Sequence, residues 1–278
     1  MAVEGTTIKY GEESSRQIIR RWKLGVGAGA NPSTGHVDHK PRRAIILIHG
    51  GAWRDPNNTC NDFQGFVNTW AGITDYDGLV AYSIDYKLSS EVGGTYPSVV
   101  LDVFKALEII HKDFRAINGT DDVEYTLCGH SVGCTFITQI MEYEKYVGAN
   151  QRPAIMDHIR KCVFLDGIYC IRELNDEYPE YAFFIEEQFG NMQVALAECN
   201  SVGNSVQVIS VRELYRKLNE IVIVHSTEDE LLSLRQPQMF HTWLVDVCAV
   251  DQSTLRTHYA AYGRHNDVYE NAAVAVLI

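Results

Sequence analysis

Five short apolar runs punctuate the chain, each hydrophobic at consecutive rather than alternating positions. They are "IILI" from Ile45, which runs into "HGGAW"; "LVAYSIDY" from Leu79; "DVEYTLCGHS" from Asp122; "KCVFLDGIYC" from Lys161; and "EIVIVHS" from Glu220. Short β-branched runs that are apolar on both faces predict strands covered on both sides, as in a mostly parallel sheet flanked by helices. Between them the period changes. In "YPSVVLDVFKALEIIHKDF" Pro97 suits a first turn, and Val100, Val103, Phe104, Leu107 and Ile110 fall on one helical face. A further helix is predicted around "QMFHTWLVDVCAV", a last strand in "TLRTHYAAYG" from Thr254, and a short helix after it. The polar, Gly-rich first forty residues receive no element. The expected fold is α/β, doubly wound and mostly parallel, with residues 1–278 forming a single domain.

One interval breaks the alternation. Leu174 to Arg216, with "NDEYPEYAFFIEEQFG", is aromatic, acidic and too long for a simple crossover. It is expected to be a helical cap inserted at about 174–216, because long inserts at the strand ends of such sheets cover the place where ligands bind.

Composition narrows the function classes. A net charge of −12 over 278 residues argues against nucleic acid or an anionic membrane surface as partner. The N-terminus has neither a basic nor an apolar signal region, and no apolar run approaches a membrane span, so a cytoplasmic protein is expected. Seven scattered cysteines without C-x-x-C suggest buried small hydrophobes rather than disulfides or a zinc site. The local cluster of His36, Asp38 and His39 lies between Gly and Pro without periodicity and reads as a solvated loop, so no metal is expected.

The strongest chemical signal ends the third run. Gly129-His130-Ser131-Val132-Gly133 matches G-x-S-x-G, and a helical pattern follows it. A serine on a sharp strand-to-helix turn needs small neighbours two residues away on either side, and the turn presents its hydroxyl at a helix N-terminus. Ser131 is the expected nucleophile. A serine needs a base, and the base a carboxylate. In chain order Ser, Asp or Glu, His, the turn after the "EIVIVHS" strand offers Glu228, Asp229 and Glu230. The loop after the last strand offers His265. Asp229 and His265 are taken, while His225, His241 and His258 sit where structural histidines are expected.

The two glycines of "HGGAW" then acquire a purpose. Attack on a carbonyl creates an oxyanion that needs backbone N–H donors already in place. Val132 supplies one, and Gly50 and Gly51, with Ala52 as a further candidate, are expected to supply the others. His49 would brace the loop. Trp53 has two readings, packing into the cap or walling an aromatic pocket.

"HGGAW", "SIDYKLSS", "GHSVG", "LDGIY", "HSTEDELLSLRQ" and "HNDVY" together resemble the kynurenine formamidases of the α/β-hydrolase fold, in particular the fungal form, over about Ala44 to Tyr269. The resemblance implies hydrolysis of N-formyl-L-kynurenine in tryptophan catabolism, with the triad on Ser131, Asp229 and His265 and the oxyanion motif on His49 to Trp53. It also leads one to expect a homodimer. Lys87 and Ser90 stand where the related esterase motif carries Arg and Pro, and the C-terminal helix is short. The chemistry asks for no cofactor. A carboxylesterase for small acyl esters is the second reading, since only pocket shape separates the two. A non-catalytic binding protein is the third, and an intact Ser, Asp and His argue against it.

Overall fold

The computed structural model describes residues 3–25, 42–203 and 209–278. The cluster His36, Asp38 and His39 lies outside the described residues. Among those described, eight strands form one sheet in the order β1-β2-β4-β3-β5-β6-β7-β8. They are β1 (Thr6–Lys9), β2 (Ile18–Lys23), β3 (Arg42–Ile48), β4 (Val80–Ile84), β5 (Val123–His130), β6 (Ile159–Leu165), β7 (Glu220–Ser226) and β8 (Leu255–Ala260). The pairs from β4 through β8 are parallel, in keeping with the doubly apolar runs that form β3 to β7.

The sequence reading missed β1 and β2. They form a hairpin added antiparallel to β4. Its sequences, "TTIK" and "IIRRWK", are polar because β1 is an exposed edge and only Ile19 and Trp22 of β2 face the core. An edge strand of this kind has no continuous apolar run to find, and its polar residues also protect the edge from further pairing.

Helices cover both faces. Along β3, Ile46 and Ile48 point into one apolar layer and Ile45 and Leu47 into the other, the two-residue alternation of a pleated strand. The second layer is closed by α1 (Gln64–Trp70) and the C-terminal segment, where Trp70 Nε1 donates to the Ala275 carbonyl over 2.8 Å. The first layer is closed by α2 (Ser98–Asn118), whose predicted face is buried throughout, and by α3 (Val132–Met141), buried along its whole length. Helix α2 stops at Gly119, whose φ of 63° is the left-handed cap that glycine adopts without penalty.

After α4 (Tyr143–Val147) and β6 comes the long insertion, with α5 (Ile171–Glu177), α6 (Ala182–Phe189), α7 (Met192–Glu198) and α8 (Ile209–Arg216). Its two ends behave differently. The stretch around α6 approaches the cavity described below. Helix α8 instead packs into the helix layer, where Tyr215 meets Trp243 of α9 (Arg235–Asp246) with ring centres 5.9 Å apart. The chain closes with β8 and the four-residue α10 (Ala272–Ala275).

The seven cysteines are free and buried. Lys87 is also buried, with Nζ 2.7 Å from Glu13 and 3.2 Å from Asp102, so it ties the N-terminal hairpin to α2.

Candidate active site

Ser131 sits between the last residue of β5 and the first of α3, with φ 54° and ψ −119°. A non-glycine residue at positive φ is strained, and it persists here because both flanking glycines are indispensable. A Cβ on Gly129 would lie 2.5 Å from the Gly133 carbonyl carbon, and one on Gly133 would run into the carbonyl oxygen of Ile48. The turn is pinned by Ser131 N–H donating to Leu165 O at 3.0 Å and by Ile168 N–H donating to Ser131 O at 3.2 Å.

His265 lies in the loop after β8, its Nδ1 2.7 Å from Asp229 Oδ2. A carboxylate there fixes the proton on Nδ1 and leaves Nε2 with the free lone pair. The three neighbouring acids divide the labour. Asp229 meets the imidazole. Glu230 accepts from the His265 backbone N–H at 2.9 Å, and Glu228 accepts from Gly263 N–H at 3.1 Å. Burial pushes the Asp229 carboxyl upward, but the His265 hydrogen bond and charge and the N–H groups of Leu232 and Leu231 outweigh it, so its pKa falls below the ordinary value.

Two residues given no role at the sequence level lie beneath this pair. His130 Nε2 donates to the carbonyl of His265 at 2.9 Å, and burial, with His265 next, drives its pKa well down. Asp166 follows β6 with φ 41°, fully buried, with Oδ1 accepting from Ser226 N–H at 2.7 Å. Burial and the adjacent Asp229 charge raise its pKa to about 7. Ligand atoms of His130, Asp166 and His265 come within 4.8 Å of one another. The signal for Asp166 was present in "LDGIY", an acid flanked by apolar residues at a strand end, but a buried acid whose partners are distant in the chain leaves no distinctive spacing.

The "HGGAW" loop bends hard, with φ 95° at Gly51, 50° at Ala52 and 60° at Trp53. A Cβ on Gly50 would stand 2.9 Å from that of Ser131, so this glycine allows the loop to approach the serine. His49 is fully buried and stacked on Tyr86, with Nδ1 2.9 Å from Gly50 O and Nε2 3.2 Å from Asp85. His49 is not among the residues lining the cavity described below. Tyr86 donates to the carbonyls of His49 and Gly50, and Asp85 is held at 2.7 Å by Arg16, which also donates to the carbonyls of Asn58 and Pro56. Trp53 takes the first of its two readings. It is 1% exposed, edge-on to Phe189 at 5.6 Å and tilted against Phe184 at 6.2 Å, both on α6.

Ser131 and His265 line one cavity of about 490 Å³. Gly51 and Ala52 face it from the glycine loop, Tyr181, Phe183 and Phe184 from the insertion, and Leu231 and Leu232 from the acid turn. Among the described residues His225 is structural, its Nε2 donating to Leu232 O at 3.1 Å.

A mostly parallel eight-stranded sheet with a strained serine turn after β5, an acid turn after β7 and a histidine loop after β8 defines an α/β-hydrolase fold. The family model described as BD-FAE matches residues 34–157. Solved structures show the same fold: Est2, a thermophilic esterase from Thermogutta terrifontis, has a TM-score of 0.63 at 15% identity over 99% of this chain and 91% of its own. Esterase B from Lactobacillus rhamnosis gives 0.64 at 15% over 99% and 84%. Among curated relatives, the kynurenine formamidase of Meyerozyma guilliermondii is 35% identical over 84% of this chain and 82% of its own length. That of Saccharomyces cerevisiae is 35% identical over 87% and 89%. The chain belongs to the kynurenine formamidase family.

Proposed function

We propose that this enzyme hydrolyses N-formyl-L-kynurenine to L-kynurenine and formate, with Ser131 as nucleophile, His265 as general base and acid, and Asp229 as the carboxylate that orients the imidazole. The observation that carries the reading is the 2.7 Å contact from His265 Nδ1 to Asp229, with His265 and the strained Ser131 on one cavity in a chain of this family.

His265 Nε2 takes the proton as Ser131 Oγ bonds to the formyl carbon, and the carbonyl oxygen becomes an oxyanion. A trans peptide points its N–H opposite to its C=O. The Gly50 carbonyl is held by Tyr86 and that of Gly51 by Arg54 and Asp55, so the N–H groups of Gly51 and Ala52 face the other way. With Val132, whose N–H at the first residue of α3 has no helical partner, they form the oxyanion hole. Gly50 provides the close approach. Collapse breaks the carbon–nitrogen bond, and His265 returns the proton to the departing arylamine. Water then attacks the formyl ester by the same route and releases formate, restoring the serine.

In this reading residues 1–278 act as one hydrolase domain, with the insertion around α6 as its cap over an aromatic substrate. The seven unpaired cysteines support a cytoplasmic setting, and no helix among the described residues is long and apolar enough to cross a membrane. A homodimer is part of the same reading, and light scattering tests it. The activity is tested by kcat/KM on N-formyl-L-kynurenine beside p-nitrophenyl acetate. Preference for the ester by orders of magnitude would replace the formamidase with a carboxylesterase.

A further inference from the structure

The cavity walls are mainly apolar, from Ile168, Phe183, Phe184, Leu231 and Leu232, yet two adjacent residues of opposite charge, Arg54 and Asp55, also line them. Among the described residues that line the cavity, they are the one Arg and the one Asp, with no Lys or Glu beside them. An aromatic wall with one cation beside one anion complements an aromatic ring bearing a zwitterion. We propose that Arg54 and Asp55 form the subsite for the α-amino-acid end of the substrate, Arg54 receiving the carboxylate and Asp55 the ammonium. The inference rests on the formamidase reading and names the specificity element of that site.

Backbone geometry fixes the distance between this pair and the acyl position. Arg54 N–H and Asp55 N–H both donate to the Gly51 carbonyl, at 2.9 and 2.8 Å. The charged pair and the oxyanion loop therefore move as one unit. The Arg54 guanidinium lies over the Phe183 ring, 4.8 Å from its centre, and its Nε is 3.4 Å from Glu187. That ion pair is long and partly exposed, so it orients the side chain without consuming a fork of five donors suited to a carboxylate. Glu187 is itself anchored, accepting from Ser89 Oγ at 2.5 Å. Asp55 Oδ1 accepts from the N–H and side-chain amide of Asn57, each at 2.9 Å, which holds the carboxylate in place.

The test pairs enzyme variants with substrates lacking one charge. Wild type and Arg54→Met are compared on N-formyl-L-kynurenine and on its descarboxy analogue, and methionine keeps the apolar stem against Phe183. The substitution should raise KM about tenfold or more on the parent substrate, the scale of one charge-assisted hydrogen bond, and less than about twofold on the analogue, with kcat little changed. Asp55→Asn should behave likewise toward the parent and the deaminated analogue. Glu187→Gln should leave KM unchanged or lower it, because Glu187 competes with the substrate carboxylate. Equal KM rises on parent and analogue, or a rise in Glu187→Gln matching that of Arg54→Met, would reduce the pair to a structural prop and overturn the inference. If Arg54→Met fails to fold, wild type decides: equal KM for the parent and descarboxy substrates overturns the carboxylate assignment. Failure of wild type on every formamide would instead overturn the formamidase reading beneath it.

Discussion

His130 donates from Nε2 to the backbone carbonyl of His265, so the residue before Ser131 holds the loop that carries His265. The two rings also meet, their centres 4.6 Å apart. Any shift of the histidine loop is thus resisted from the serine turn itself. His130→Phe should keep the ring and lose the donor, leaving a buried carbonyl unpaired at a cost of about 1–3 kcal/mol. Thermal unfolding should show that loss, and kcat should fall about tenfold with KM nearly constant. His130→Gln, which keeps a donor, should recover part of both. A KM effect without a kcat effect would place His130 in substrate binding instead.

Ser131→Ala should fold normally, since alanine fits between Gly129 and Gly133, and turnover should drop by at least about a hundredfold, given the far larger losses on removing triad serines. Folded protein that retains more activity would point to another nucleophile.

The acid turn offers a three-way comparison. Asp229→Asn should reduce kcat by on the order of 10⁴, as expected when the base is held in the wrong tautomer. Glu228→Gln and Glu230→Gln keep an acceptor for the backbone N–H groups they hold and should cost less than about tenfold. Steady-state kcat of the three variants, measured side by side, checks the ranking.

Trp53 is enclosed by Phe184 and Phe189 and does not line the cavity. Trp53→Ala should therefore destabilise by about 3–5 kcal/mol through the void it leaves. Its activity losses on N-formyl-L-kynurenine and on p-nitrophenyl acetate should run in parallel. A loss confined to the aromatic substrate would return Trp53 to the pocket wall.

Asp166 gives a pH signature. Its pKa rises from 3.8 in the unfolded chain to about 7 in the fold, because burial and Asp229 disfavour its charge. Between these values the folded state holds a proton that the unfolded state has released. Its contribution to stability falls as pH rises through that window and stays low above it. Asp166→Asn keeps an acceptor for Ser226 N–H and removes the titration. Thermal unfolding at about pH 5 and about pH 8 should show the variant gaining on wild type toward the higher pH. A constant difference would mean that Asp166 is charged throughout.

The parallel strands β3 to β7 were legible because each is apolar on both faces, whereas the half-exposed β8 was placed by its position after the last helix. Ser131 was legible because close packing demands glycine at both Gly129 and Gly133, a demand written directly into the sequence. Asp229 was taken over its neighbours by position and resemblance alone, without a geometric reason. Three adjacent carboxylates are equivalent in sequence, and only the curl of the turn gives one the imidazole and the other two the backbone. The β1–β2 hairpin, His130 and Asp166 were missed for a related reason. Their roles depend on partners distant in the chain, as with Arg16 and Asp85, and local pattern carries no trace of those.

That Arg16 contact gives the hairpin a role beyond closing a sheet. One guanidinium collects Asp85, which steadies His49, together with the carbonyls of Pro56 and Asn58, two residues of the cavity rim. The β1–β2 hairpin is therefore a lever resting on the glycine loop. Fraying of β1 and β2, whether by heat, by denaturant or by an awkward fusion, should register first as slowed turnover, while the parallel sheet behind it is still intact.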